Sequence, residues 1–533
     1  MPGKLTSEPL LPAGNSRPDT DESEPVPRSR QEPVTLSAVD AVPARDHGAR
    51  RHGAILWIAL LLSLVVRSWG IGIQSFSMDE MTEFAAVQQG LGAVVTAADG
   101  FPPLYAVLLH WWLEIAGTPE AARWLSVLIG VLAIPVIYRL GAILGGRRVG
   151  ELSALLLAIS PIHIWYSQEA RAYGLFFLLA LAALWRYEVA RSTDRTADWV
   201  WYAAAMIAGL YTHYYFAFVI LAIAVAELVP ARRPSRIRRW LQVHVATIPF
   251  VLPLLLLMGN DLKAQVEWIA TERSLDLSTL GYTLFTYLSG FSLGPSLREL
   301  HTARLQEAVR HALPWVLPAA LATAYLLLEG WRWKEGRSAW YRVATWMAVT
   351  ILAAGAMSAA FDLGYRVRYV AWCAGLLVIL LAMGVVGGRR RWATGTALGI
   401  IVLVSLAATL NRHTVGRYMN EDARGAARMI ASLPETGAPV FVVSGYMAGP
   451  IDYYLRGARR LTPLSNAETR VSPDPALEII RETVGAGKTF WFLYSRPFDG
   501  DPQGRLYQAL ERQARLQLTG EVPGIRFYRG TGW

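Results

Sequence analysis

The chain has 533 residues, 53% of them hydrophobic and only 17% charged, with a formal net charge of +10 and a mean hydropathy of +0.30. Apolar blocks recur along most of its length where a soluble enzyme would show amphipathic stripes, so the fold class is a multi-pass, all-α membrane protein. The excess charge is nearly all arginine placed between those blocks. The positive-inside rule explains that placement, and no nucleic-acid partner is needed to account for it.

Residues 1–53 are rich in Pro, Ser, Arg and Glu, lack hydrophobic periodicity, and read as a disordered cytoplasmic tail. Arg50-Arg51-His52 precedes the first span, about 54–73, and puts the N-terminus in the cytoplasm. With no cleavage site after it, that span stays as an anchor. Basic loops follow at Arg147-Arg148, Arg191 to Arg195, Arg232 to Arg239, Arg332 to Arg337 and Arg389 to Arg391. All five are cytoplasmic only if the apolar stretch Leu104–Ala116 does not cross. Residues 74–122 therefore form one long external loop with juxtamembrane helices, and Trp111 and Trp112 suit the interface. Further spans fall near 123–144, 150–166, 172–190, two within 199–229, 241–260, 313–329, 341–361, 369–387 and 393–410. An external loop at 261–312 lies between two of them. The count is about eleven helices, and residues 54–410 are one transmembrane domain.

Composition changes after residue 410. Residues 411–533 alternate short apolar runs with polar segments, which suggests a small extracytoplasmic α/β domain. Helices are expected at 422–433, 476–484 and 504–516, a helix continues at 451–455, and strands are expected at 439–444, 489–494 and 525–528. Gly485-Ala486-Gly487-Lys488 precedes a strand, so it reads as a turn and not a phosphate loop. The single cysteine, Cys373, sits in an apolar segment, so no disulfide within the chain is available.

Charge near hydrocarbon is costly, roughly 2.5–3.5 kcal/mol for Asp, Lys or Arg at a helix centre. The acids at the outer ends of spans are therefore functional candidates. Asp79 and Glu80 follow the first span and Glu169 follows the third, all on the outer face in this topology. The plainer readings are a helix cap for one of the first pair and a salt bridge from Glu169 to Arg171. Arg366 and Arg368 break the positive-inside trend at the same face. His213, with Tyr214 beside it, forms a polar aromatic turn that an interfacial belt would also explain. Lys263 is a weaker cation. No metal-ligand cluster occurs, so no cofactor is assigned, and a divalent ion between Asp79 and Glu169 stays open.

The order Asp79-Glu80, Phe101-Pro102-Pro103-Leu104-Tyr105, Ser160 to Tyr173 and Thr212-His213-Tyr214-Tyr215 resembles bacterial membrane glycosyltransferases of the GT-C fold. It is similar to family 39, relatives of protein O-mannosyltransferases and of the lipid A aminoarabinose transferase. The likeness spans about residues 54–390, and Trp165 to Tyr173 is its most specific part. The family usually has His before the double proline, where this chain has Phe101. The resemblance implies a polyprenyl-phosphate sugar donor, transfer to an extracytoplasmic protein, lipid or envelope glycan, and an inner (plasma) membrane location. It makes Asp79 the base; the residues themselves add Glu80, adjacent to it, to position Asp79 or the acceptor, and Glu169 to orient the acceptor. Arg366, Arg368 and Arg171 are candidates to grip the leaving phosphate, because the planar guanidinium bonds two oxygens at once. A lipid-linked sugar translocase and a non-catalytic envelope scaffold are the competing classes.

Cysteines placed at positions 79 and 169 are expected to react with a membrane-impermeant maleimide from the same, external side. Labelling from opposite sides would refute this topology.

Overall fold

The computed structural model describes residues 47–95, 101–228, 234–269, 276–296, 298–299, 312–361, 364–435, 437–485 and 488–532. Most of the proposed tail and much of the 261–312 loop lie outside these residues.

The first helix, α1 (His47–Ser68), leads into α2 (Met78–Gln88), α3 (Leu91–Val95) and α4 (Leu104–Ala116). The bundle then continues through α5 (Ala122–Gly145), α6 (Arg147–Ala158), α7 (Pro161–Ser167), α8 (Tyr173–Thr193), α9 (Thr196–Leu210), α10 (Phe216–Leu228), α11 (Pro234–Ile269) and α12 (Leu277–Ser289). It ends with α13 (Leu313–Arg332), α14 (Arg337–Ala360), α15 (Val367–Val370), α16 (Cys373–Gly387) and α17 (Arg391–Thr414). Each of the eleven predicted spans holds a helix. Six of the described helices, α5, α8, α11, α13, α14 and α17, are long and apolar enough to cross a bilayer, and the bent pair α6–α7 makes a seventh. At the other four predicted spans the helical stretches are shorter: the apolar Gly53–Ser68 within α1, and α9, α10 and α16. One boundary moves. The 261–312 loop was expected to start after residue 260, but α11 runs on to Ile269.

The bend between α6 and α7 is 61°. Pro161 at the first turn of α7 cannot continue the ladder of α6. That break leaves carbonyls without helical partners in an apolar setting. The buried Arg67 of α1 takes two of them, Ala158 O at 2.9 Å and Leu157 O at 3.0 Å, and its Nε donates to Ser167 Oγ at 3.2 Å. Gly130 of α5 makes room for this contact, since a Cβ there would lie 2.2 Å from Ser167 Oγ.

The C-terminal domain is a five-stranded sheet with order β2-β1-β3-β5-β4. Its elements are α18 (Ala423–Ala431), β1 (Val440–Val442), α19 (Ala448–Leu455), β2 (Leu461–Pro463), α20 (Asn466–Val471), α21 (Asp474–Val484), β3 (Phe490–Ser495), α22 (Pro497–Gly500), α23 (Arg505–Gln513), β4 (Arg515–Val522) and β5 (Ile525–Thr531). Strands β1, β2 and β3 are parallel, and β5 runs antiparallel to β3 and β4. Phe441, Phe490 and Phe492 pack with Leu477 and Leu506 on one face, and Val440, Val442, Trp491 and Leu493 pack with Ile430 and Ile451 on the other. This burial on both faces explains the continuous apolar runs of β1 and β3. The helix expected over 504–516 stops at Gln513, because the chain turns into β4 at Arg515.

Small residues set the helix spacing in the bundle. Gly384 of α16 lies against α13, and a Cβ there would sit 2.1 Å from Leu326 O. Gly384→Ala is expected to cost about 1–3 kcal/mol by overpacking, read as a lower thermal midpoint of the detergent-solubilised protein.

Candidate active site

Helix α2 opens with a capping box. Ser77 Oγ accepts from Glu80 N, and Glu80 Oε2 accepts from Ser77 N at 2.8 Å. The cap that was the plainer reading is thus present, and Glu80 makes it. Glu80 is also fully buried against Arg123 at the start of α5, with Nε–Oε1 at 2.7 Å and Nη2–Oε2 at 2.8 Å. Its Oε1 takes a further bond from Ala170 N at 2.9 Å. Burial alone would raise this carboxyl, but Arg123 and the two backbone N–H groups bring it below the usual range. Arg123 spends its remaining donors on the carbonyls of Ile71, Gln74 and Ser75. Glu80 is thereby a structural clamp between α2, the loop before it, α5 and the loop after α7.

That clamp presents Asp79 on the neighbouring face. Its side chain is 38% exposed, and Oδ2 accepts from Arg368 Nη1 at 2.8 Å. Arg171 Nη1 donates to Asp79 O and to Glu83 Oε2, each at 2.9 Å. Burial pulls the Asp79 carboxyl up, but Arg368, Arg171, Arg366 and Arg496 together hold it below its ordinary value. Asp79 is therefore ionised at neutral pH.

Glu169 lies half-buried in the turn between α7 and α8. Burial, Glu80 and Asp79 push its carboxyl up to about 7, against Arg171 and Arg412. The structure thus brings Asp79, Glu80 and Glu169 to one end of the bundle, as the charge-based topology requires. Glu169 also lines a small pocket with Trp165, Gln168, Arg412 and His413.

Arg368 carries the ring faces of Tyr173 and Tyr369 at 5.7 and 5.4 Å. Arg171 lies over Phe101 at 4.6 Å. Buried His213 stacks on Phe176 with centroids 4.8 Å apart and meets Phe101 edge-on at 5.3 Å. Burial, Arg368 and Arg171 lower its imidazole to about 3, so it is neutral at physiological pH. An imidazole therefore stands at the double-proline corner, supplied by position 213 and not 101. Tyr214 lies in the same turn, and Arg366 reaches Asp79 through its charge. Lys263 falls on α11, and its side chain lies outside the described residues. Among the described residues, no three His, Cys, Asp or Glu side chains group as a metal site. Sequence reading missed Arg123, Glu83 and Arg496. The first two carry no distinguishing spacing, and the third comes from the far end of the chain.

This bundle with its capping sheet domain defines a membrane protein of the GT-C fold. A sequence profile of dolichyl-phosphate-mannose-protein mannosyltransferases matches residues 101–257. Among solved structures, the chain is similar to ArnT from Cupriavidus metallidurans in the apo state, at 14% identity and a TM-score of 0.57, covering 91% of this chain and 98% of ArnT. The same protein bound to undecaprenyl phosphate matches at 15% identity and a TM-score of 0.53, with the same coverage. The oligosaccharyltransferase AglB from Archaeoglobus fulgidus, in complex with an inhibitory peptide and a dolichol-phosphate, matches at 12% identity and a TM-score of 0.52. That match covers 90% of this chain and 74% of AglB. No curated protein sequence matches the chain.

The raised Glu169 carboxyl has a pH signature. The folded protein keeps a proton that the unfolded chain releases at about 4.3, so this group's contribution is full below that value and is lost as pH rises through about 7. Glu169→Gln removes the effect. Between these two pH values the thermal midpoint of the wild type is expected to fall relative to the variant. Parallel curves would contradict the raised value.

Proposed function

We propose that this protein is a membrane glycosyltransferase that moves a sugar from a polyprenyl-phosphate donor to an extracytoplasmic acceptor, with Asp79 as the base of an inverting displacement. The observation that carries this reading is the Asp79–Arg368 pair, 2.8 Å apart and flanked by Arg171. The mannosyltransferase profile and the likeness to ArnT and AglB support the reading. It places the protein in the inner (plasma) membrane, with the N-terminus cytoplasmic and the C-terminal domain outside. Residues 54–410 are its catalytic domain, and residues 1–53 a cytoplasmic tail.

A glycosyl phosphate already carries a good leaving group, so the enzyme needs a base for the acceptor and cations for the phosphate. Asp79 takes the proton from the acceptor hydroxyl or amine as that atom bonds to the anomeric carbon. The anomeric C–O bond to phosphate breaks on the opposite face, and polyprenyl phosphate departs with the electron pair. Arg368 is the principal phosphate ligand, with Arg171 and Arg366 adding charge. In the free protein Arg368 is engaged by Asp79. A donor phosphate that draws Arg368 away would release the carboxylate, so donor binding arms the base. Glu80 holds α2 in place through Arg123, and Glu169 orients the acceptor.

Asp79→Asn keeps the shape of the side chain and removes the base. Transfer is expected to fall about 100- to 10,000-fold, while donor binding is kept or tightened because Arg368 is freed. The measurement is product formation from radiolabelled polyprenyl-phosphate sugars and envelope fractions, alongside donor binding. Unchanged transfer would favour a scaffold, and label crossing the membrane without entering a product would favour a translocase.

A further inference from the structure

The C-terminal sheet has a crevice that the transfer chemistry does not use. Strand order β2-β1-β3 means that the chain leaves β1 for one neighbour and returns to the other. In parallel α/β sheets, ligands bind outside the carboxyl ends of the strands; the switch point here lies between β1 and β3, and the crevice opens beside it, between the ends of β1 and β2. Here those ends are Ser444-Gly445 after β1, Leu464 to Asn466 after β2, and Arg496 after β3. Ser444 and Arg496 both adopt left-handed backbone, with φ of 55° and 43°, which side chains at such positions rarely tolerate without cost. Ser444 Oγ donates to Arg496 O at 3.0 Å and ties the two turns together.

The crevice measures about 330 Å³ and is lined by Gly445, Tyr446, Pro463, Leu464, Ser465 and Asn466. That volume lies within the usual range for small-ligand sites. Its lining holds no charged side chain. It combines the Tyr446 phenol and the Pro463 ring with the Ser465 hydroxyl and the Asn466 amide, over the buried Leu464. Asn466 is fixed by Gly445 N at 3.0 Å and by Asp499 Oδ2 at 2.9 Å.

Contacts tie the neighbourhood of the crevice to the segment that carries Asp79. The chain runs from Tyr446 directly into α19, whose Tyr454 hydroxyl accepts the Phe76 N–H at 3.0 Å, three residues before Asp79. Arg496, which packs over Tyr446 at 5.5 Å, contributes to the charge around that carboxylate.

We infer that this crevice binds a neutral sugar unit of the acceptor, so that the acceptor is a glycan. The inference rests on the transferase reading for its purpose, but the binding itself does not. A pyranose presents an apolar C–H face to Tyr446 and hydroxyls to Ser465 and Asn466. The cation nearest the lining, Arg496 over Tyr446, already faces Glu421 at 3.8 Å, which leaves a lipid phosphate poorly matched here. A peptide adding to the sheet would meet β2, an edge strand of three residues ending in Pro463, which is poorly suited to pairing.

The test uses the full-length protein in nanodiscs against arrays of neutral glycans and of Ser/Thr-rich peptides. Tyr446→Ala and Asn466→Ala are the variants, with the double variant as a check on folding by thermal midpoint. Wild type is expected to bind glycans, and either variant to lose at least tenfold in that binding. In the transfer assay the same variants raise the acceptor KM about tenfold, with kcat and acceptor-free hydrolysis of the donor unchanged. Glycan binding without any transfer would overturn the transferase reading and leave the crevice standing. Absence of glycan binding, glycan binding indifferent to both substitutions, or preferential capture of peptide would overturn the crevice.

Discussion

The geometry of the candidate site depends on one buried ion pair. Glu80 and Arg123 are almost completely removed from solvent, and separating them would strand a charge at a cost of about 3–5 kcal/mol. The pair survives burial because every other polar atom is also engaged: two backbone N–H groups and the Ser77 hydroxyl around Glu80 and its cap, and three carbonyls around Arg123. Three segments distant in sequence, residues 71–80, Arg123 and Ala170, converge on it. Asp79 takes its place from this knot as the next residue on the same helix, turned outward toward Arg368. In an adjacent acidic pair, one member is thus fully neutralised, while the other stays partly open and within reach of a ligand.

Electrostatics then separate the three carboxylates. Glu80 lies deep among donors and Asp79 faces arginines, whereas Glu169 feels its two acidic neighbours and carries the highest affinity for a proton. Asp79 and Glu80 are therefore held ionised near neutrality, while Glu169, pushed up to about 7, is the one that exchanges its proton there. The aromatic wall of Tyr173, Tyr369, Phe101 and His213 backs the cations and leaves few competing hydrogen-bond partners.

Much of this was legible from residue types and spacing. Loop arginines sufficed to place positions 79 and 169 at one end of the bundle, because inserting or omitting Leu104–Ala116 as a span reverses every later loop. The capping role of Glu80 was visible in Ser77-Met78-Asp79-Glu80. Its partner was not, since Arg123 opens an apolar helix 43 residues away and looks like an ordinary flanking charge. Strand β2 escaped notice because three residues carry no periodicity. The end of the helix at Gln513 was misplaced because Arg515–Val522 is an outer strand with mixed polarity. Arg496 could be found only from the fold, which returns the end of β3 to the segment that carries Asp79.

The kinked pair α6–α7 bears on how the chain assembles. The kink costs Leu157 O and Ala158 O their regular helical donors, Leu157 O keeping a 3.2 Å bond from Ser160 N, until the guanidinium of Arg67 arrives, and that guanidinium is itself poorly placed in hydrocarbon before the kink exists. Neither partner is comfortable alone, so the first helix cannot settle into its final seat when it leaves the insertion machinery. The two are satisfied only together, so α1 reaches its final seat once the α6–α7 pair lies beside it, and the kink and the helix that plugs it fix each other's position in the bundle.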